Sequence, residues 1–179
     1  NIGLIYLELG ELQKSVTHFQ KALKYNKKYF KAYNNLAVAY IRLYDLENAI
    51  KYLHEAIKNN ASYAEAYSNL GVAHMERKEF SLALEYFNKA LSYNPNLINT
   101  AAQRIHLKAK LCDWSEQDKN KRVLNKLLSN DFSVTPWQLL SIEDNPKQQL
   151  NRAINYAYGQ FKYIETNESI DTKKTSCIN

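Results

Sequence analysis

The sequence predicts an all-α fold: a solenoid of helix–turn–helix units stacked along one axis. Three observations point there. The chain repeats itself every 34 residues, with Tyr33 over Tyr67, Leu36 over Leu70, Ala49 over Ala83 and Ala56 over Ala90. Only four Gly and three Pro occur in 179 residues, too few for a turn-rich all-β fold. Small residues also recur in register, at Gly3, Ala37 and Gly71 and again at Ala22, Ala56 and Ala90, where two helices must approach closely.

The units follow in order. The opening "NIGLIYLELG" falls in mid-unit, with Gly3 under Ala37, Tyr6 under Tyr40 and Phe19 under Leu53. The first repeat is therefore expected to be incomplete and, with no initiator Met, the chain is expected to be a fragment of something longer. Phe30–Tyr63 and Ala64–Leu97 are full units, each read as two antiparallel helices joined by a short polar turn such as "RLYDLE" or "ERKEF". Pro95 lies after a helix end, where a missing N–H costs little. Tyr, Leu and Phe fill the space between helices, so most of the fourteen Tyr are expected to pack and not to stack on bases. One unit cannot bury its apolar face alone, so the units stack and leave a concave inner surface.

These residues resemble the tetratricopeptide repeat, whose unit reads W-x2-L-G-x2-Y, then A-x3-F, then P. Here the same places hold Tyr67, Leu70, Gly71 and His74, then Ala83 and Phe87, then Pro95. The resemblance implies a right-handed α-solenoid. Residues 1–97 are assigned to the repeats, 98–129 to a divergent last helix pair or cap, and 130–179 to a helical linker or transition segment.

The fourth unit, from Ile98, keeps the helical pattern but departs from the consensus. Arg104 stands where Leu36 and Leu70 stood, and Lys108 where Tyr40 and His74 stood. The stretch "CDW", Cys112 to Trp114, reads as structural, with Trp114 opening the second helix of this unit. No base or cluster of positive charge surrounds Cys112 to make its thiol reactive.

One inner position is polar in every unit. Asn1, Asn35, Asn69 and Gln103 are spaced by one period on the first helix of each repeat, the helix that lines the groove. An amide offers both donors and an acceptor, so such a ladder can pair with the main chain of an extended peptide whatever its side chains. Spacing alone allows equally that these amides bond within the solenoid.

Other chemistries find no residues. His18, His54, His74 and His106 share no metal-ligand spacing, and His74 occupies a packing position. The chain has no HExxH, GxSxG, Walker loop or Gly-rich phosphate cradle. Glu143 and Asp144 before Asn145-Pro146 read as a turn and helix start. The net charge of +6 is spread over helix faces and argues against nucleic acid. No apolar run reaches membrane-span length and no signal peptide opens the chain. Two distant cysteines, Cys112 and Cys177, favour a reduced, intracellular, cytoplasmic setting. The inward positions also lack the repeated Lys and Arg expected of a groove that clamps a chaperone's C-terminal carboxylate. Lys31 is the one candidate, and Glu65 replaces it one repeat later.

A second resemblance follows the array. "LCDW", a Lys-rich helix and then "VTPWQLLSIEDNPKQQLNRAINYA" (Val134–Ala157) look like the O-linked N-acetylglucosamine transferases, in particular their bacterial and algal-type relatives and the SPINDLY O-fucosyltransferases. The resemblance implies a protein glycosyltransferase whose solenoid presents polypeptide substrates to a catalytic domain, with UDP-GlcNAc or another nucleotide sugar as donor to the parent protein. In that family an asparagine ladder on the concave face holds the substrate main chain, and Asn1, Asn35 and Asn69 match it. Nothing in the chain resembles the nucleotide-sugar lobes. Trp137 follows Pro136 where animal members carry His, so no catalytic role carries over. The 179 residues are therefore expected to be catalytically silent and to need no cofactor of their own. Partners are extended polypeptides, not nucleic acid or membrane; dimerisation through the convex face is left open. The alternative is a stand-alone adaptor. The apolar content of Ser129–Asn179 (Trp137, Leu139, Leu140, Ile154, Tyr158, Phe161) speaks against it, since a free tail would expose it.

Overall fold

The computed structural model describes residues 2–113 together with Ser115, Ala153 and Ile154. Seven helices run in order: α1 Ile2–Glu8, α2 Leu12–Tyr25, α3 Phe30–Arg42, α4 Leu46–Asn59, α5 Ala64–Glu76, α6 Phe80–Tyr93 and α7 Ile98–Lys110. Helices α3, α5 and α7 start 34 residues apart, as do α2, α4 and α6, so the period of the sequence is the period of the backbone. No strand occurs among the described residues. Each helix packs on the next, and α3 also packs on α5. The first helices α3 and α5 thus lie side by side.

The turns repeat as faithfully as the helices. Gly10, Tyr44, Lys78 and Cys112 all adopt left-handed backbone, with φ of 76, 60, 63 and 56°. Each ends a first helix, and each is followed by an N–H that reaches back five residues: Glu11 to the Tyr6 carbonyl, Asp45 to Tyr40, Glu79 to His74 and Asp113 to Lys108, all at 2.9 Å. This is the Schellman closure of a helix end. Gly takes that conformation freely at the first turn, whereas a residue with a Cβ meets roughly 1–2 kcal/mol of strain there. The return turns are made by Asn26, Asn60 and Asn94. Their side-chain oxygens accept the N–H groups of Lys28, Ser62 and Asn96 at 3.0, 3.2 and 3.1 Å. Asn forms such turns from its own side chain, so Pro95 is an accessory to the third and not its cause.

Within each unit one close contact sets the helix separation. Gly3 faces Phe19, and a Cβ on Gly3 would lie 2.9 Å from Phe19 Cε1. Gly71 faces Phe87 more tightly still, so that a Cβ there would overlap the ring. In the middle unit Ala37 and Leu53 are both fully buried. A small residue on the first helix thus meets a large one on the second, sixteen places later. Aromatic pairs add a second clasp twelve residues apart: Tyr6 on His18, Tyr40 on Tyr52 and His74 on Tyr86, with ring centroids at 5.2, 5.5 and 5.1 Å. Burial pushes the Tyr40 and Tyr67 phenols above their ordinary range and raises that of Tyr63 to about 12. These rings are neutral packing groups, as the spacing implied.

The fourth unit keeps the frame without the consensus. Lys108 Nζ lies 3.3 Å from Asp113 Oδ2, taking the place of the His74 Nδ1–Glu79 Oε2 contact of 2.6 Å one period earlier. Asp113 also accepts from the Ser115 N–H and Oγ at 3.1 and 2.6 Å. Those Ser115 bonds first, and Lys108 after them, hold its carboxyl below the usual carboxylate range. Cys112 is exposed, and its place is the left-handed turn residue. Trp114 and residues 116–152 and 155–179, with the second helix of the expected last pair and most of the expected linker, lie outside the described residues, as does Asn1.

A candidate peptide-binding face

The first helices α3, α5 and α7 each present one stripe that is polar at three or four of its positions. On α3 it is Lys31, Asn35, Val38 and Arg42; one and two periods later come Glu65, Asn69, Val72 and Glu76 on α5, and Asn99, Gln103, His106 and Lys110 on α7. Steps of four, three and four residues keep the members of a stripe on one helix face. Asn35, Asn69 and Gln103 sit half-buried at its centre, and the end positions are exposed.

The central amides are linked through a residue beside them. Asn69 Nδ2 donates to Asn34 Oδ1 at 2.8 Å, and Asn34 Nδ2 donates to Asn35 Oδ1 at a longer 3.4 Å. Asn34 is buried at 5% exposure, so this relay is a fixed strut between α3 and α5. It uses one half of each outer amide. Asn35 Nδ2 and Asn69 Oδ1 have no hydrogen-bond partner among the described residues. What remains is a donor on α3 and an acceptor on α5, the two groups that a peptide unit complements. The two readings of the amide ladder are therefore compatible, because each side chain has two ends.

At the next junction the relay changes. Ser68, one period after Asn34, shares a 2.6 Å hydrogen bond with Thr100, and among the described residues no amide strut reaches Gln103. Asn34 has no identical residue one period on. Its partner Asn69 lies 35 places on, and its own period-mate is Ser68. Arg42, at the end of the α3 stripe, donates from Nη1 to the Leu7 carbonyl at 2.8 Å and so ties α3 to the end of α1. His74 lies in the core at 6% exposure, its Nδ1 on Glu79 and its ring on Tyr86. Among the described residues no three of His, Cys, Asp and Glu gather as metal ligands, and no helix is long and apolar enough to cross a membrane.

Known proteins share this arrangement. Models of the tetratricopeptide repeat match residues 31–58 and 64–97, and a further TPR repeat model matches 3–43. No curated protein matches the chain. Among solved structures, MamA from Desulfovibrio magneticus RS-1 superposes with a TM-score of 0.63 at 22% identity, covering 72% of this chain and 73% of that one. The first TPR of Spaghetti (RPAP3), bound to HSP90 peptide SRMEEVD, gives 0.58 at 23% identity, over 62% of this chain and 87% of that one. The second TPR domain of human RPAP3, in complex with HSP70 peptide SGPTIEEVD, gives 0.56 at 20% identity, over 59% and 88%. At these identities the likeness is one of fold. The chain carries tetratricopeptide repeats, and its described helices form an all-α solenoid of them.

Proposed function

We propose that this chain is a protein-binding scaffold whose inner face holds an extended polypeptide by its main chain, through Asn35 and Asn69 with Gln103 continuing the line. The observation that carries the reading is the half-spent pair of amides: the Asn34 relay fixes them and leaves one donor and one acceptor unengaged. Pre-set groups lose little freedom on binding, which favours affinity. Two structural neighbours, both from RPAP3, hold peptides of HSP90 and HSP70, which supports a peptide as the ligand class. Asn1 stands at the same period and extends the ladder in this reading.

The finer reading is that the scaffold serves as the substrate-recognition arm of an O-GlcNAc-transferase-like protein glycosyltransferase. Support comes from the resemblance of "LCDW" and Val134–Ala157 to that family, with the asparagine ladder beside it. In this role the 179 residues bind substrate and the nucleotide-sugar chemistry belongs to a separate domain of the parent protein.

Two experiments test the two levels. Asn35→Ala with Asn69→Ala should weaken binding of a neutral extended peptide about tenfold or more, at two lost hydrogen bonds of about 1 kcal/mol each, with the helical circular dichroism spectrum retained at a lower melting temperature, since both links to Asn34 are lost as well. Unchanged binding would leave the amides a structural role only. The natural gene product that contains this segment, incubated with labelled nucleotide sugars and protein acceptors, should label them. A product that binds peptides and transfers no sugar would be an adaptor.

A further inference from the structure

We propose that the inner face selects its peptide by alternating charge, taking an extended segment with an acidic and a basic side chain about three residues apart in preference to a run of one sign. The inference rests on the reading of this face as a peptide groove, and it adds what that groove discriminates.

The charges flank the amides in a fixed order. Lys31 and Arg42 stand four residues before and seven after Asn35 on α3, and Glu65 and Glu76 stand at the same offsets from Asn69 on α5. All four are exposed. Both borders of the α3 stripe are therefore cationic and both borders of the α5 stripe anionic. On α7 the same places hold neutral Asn99 and Lys110, whose Nζ lies 4.7 Å over the Phe80 ring.

Helix stability accounts for only two of these residues: Arg42 in the last turn of α3 and Glu65 in the first turn of α5 stand where the helix dipole favours them. Lys31 sits in the first turn of α3, at the positive end of the helix dipole, and Glu76 is the last residue of α5, at the negative end. Each charge is the unfavourable one for its place. Lys31, Glu65 and Glu76 also form no ion pair among the described residues, although neighbouring helices could have supplied one. Arg42 is held by the Leu7 carbonyl through one nitrogen, which fixes the guanidinium and leaves its other N–H groups available to a ligand.

The geometry sets the spacing. Packed helices stand about 8–10 Å apart, and an extended chain advances about 3.3 Å per residue. A peptide that follows the amides from α3 to α5 therefore crosses from the cationic row to the anionic row in about three residues. An acidic side chain leaning toward Lys31 or Arg42, which stand about 16 Å apart along α3, and a basic one leaning toward Glu65 or Glu76 satisfy both rows. An all-acidic segment is repelled on α5 and an all-basic one on α3.

The test uses the full chain and three labelled peptides of equal length in an Ala/Ser background, read by fluorescence anisotropy. One carries Asp and Lys three apart in alternation, one only Asp, one only Lys. The alternating peptide should bind about fivefold or more tighter than either of the others, a margin set by exposed ion pairs, and the margin should shrink as salt is raised. The variant Glu65→Lys/Glu76→Lys, whose changes are both at exposed positions, should reverse the order and favour the all-acidic peptide. Equal binding of the three peptides to both proteins would overturn charge selection while leaving the main-chain grip in place. A native preference for either single-sign peptide would overturn it too. If no peptide bound at all, the groove reading itself would fall.

Discussion

Phe87 occupies the space that a side chain on Gly71 would need. The same exchange of volume is met in the middle unit by Ala37 and Leu53, both fully buried. Gly71→Ala should therefore destabilise the solenoid by about 1–3 kcal/mol, the usual cost of overpacking. Adding Phe87→Leu should recover most of that loss, because the pair then matches Ala37 and Leu53. A urea double-mutant cycle reads the coupling, and additive losses would show that the two side chains do not share one space.

Lys78 takes left-handed backbone at φ 63°, where its Cβ is strained. Lys78→Gly relieves that strain while adding some freedom to the unfolded chain. The net expectation is a gain of about 0.5–1 kcal/mol in urea unfolding. A loss would mean that the lysine side chain contributes more than its backbone costs.

Asp113 makes its contribution as an anion, held by Ser115 and Lys108. Its folded pKa is depressed below the ordinary carboxylate range, so its stabilisation is present above the unfolded pKa and fades as pH falls through the folded one. Asp113→Asn should be less stable than the native chain at neutral pH. The gap should close in acid, below pH about 4. Parallel melts across that range decide it; a gap that persisted in acid would assign the loss to shape and not to charge.

Removing Asn34 breaks both links of the relay at once. Asn34→Ala should cost about 1–3 kcal/mol, as expected when a buried amide and its hydrogen bonds are lost. It should also reduce peptide affinity, although Asn34 is buried and is not expected to touch the ligand. Hydrogen exchange at the α3/α5 junction would report the loosening. Unaltered exchange and affinity would remove the strut from the account.

Much of the fold was legible because period is a backbone property that side chains advertise. Tyr33 over Tyr67 and Ala56 over Ala90 placed the helices, and Gly3, Ala37 and Gly71 marked the close approach. The left-handed turns were hidden, since Tyr44, Lys78 and Cys112 carry none of the glycine that normally announces them. Only Gly10 does. The fourth unit looked divergent at Arg104 and Lys108, yet its turn closes through main-chain bonds that do not depend on those side chains. At the candidate site the amide stripe was visible, and its strut was not. Asn34 pairs across a junction one residue out of phase with the repeat, where a search for identical partners finds Ser68.

The two members of each small–large pair lie sixteen residues apart inside a unit of thirty-four, never across a unit boundary. Tandem duplication of a whole unit therefore copies both members together. Such an array can lengthen in one genetic event without ever exposing a mismatched pair. Substitution residue by residue from the Ala–Leu form to the Gly–Phe form must instead pass through an intermediate that is either overfilled or hollow. Copying keeps each new pair matched, and the Ala37–Leu53 pair standing between two Gly–Phe pairs shows that the units differ in their cores as well as on their surfaces.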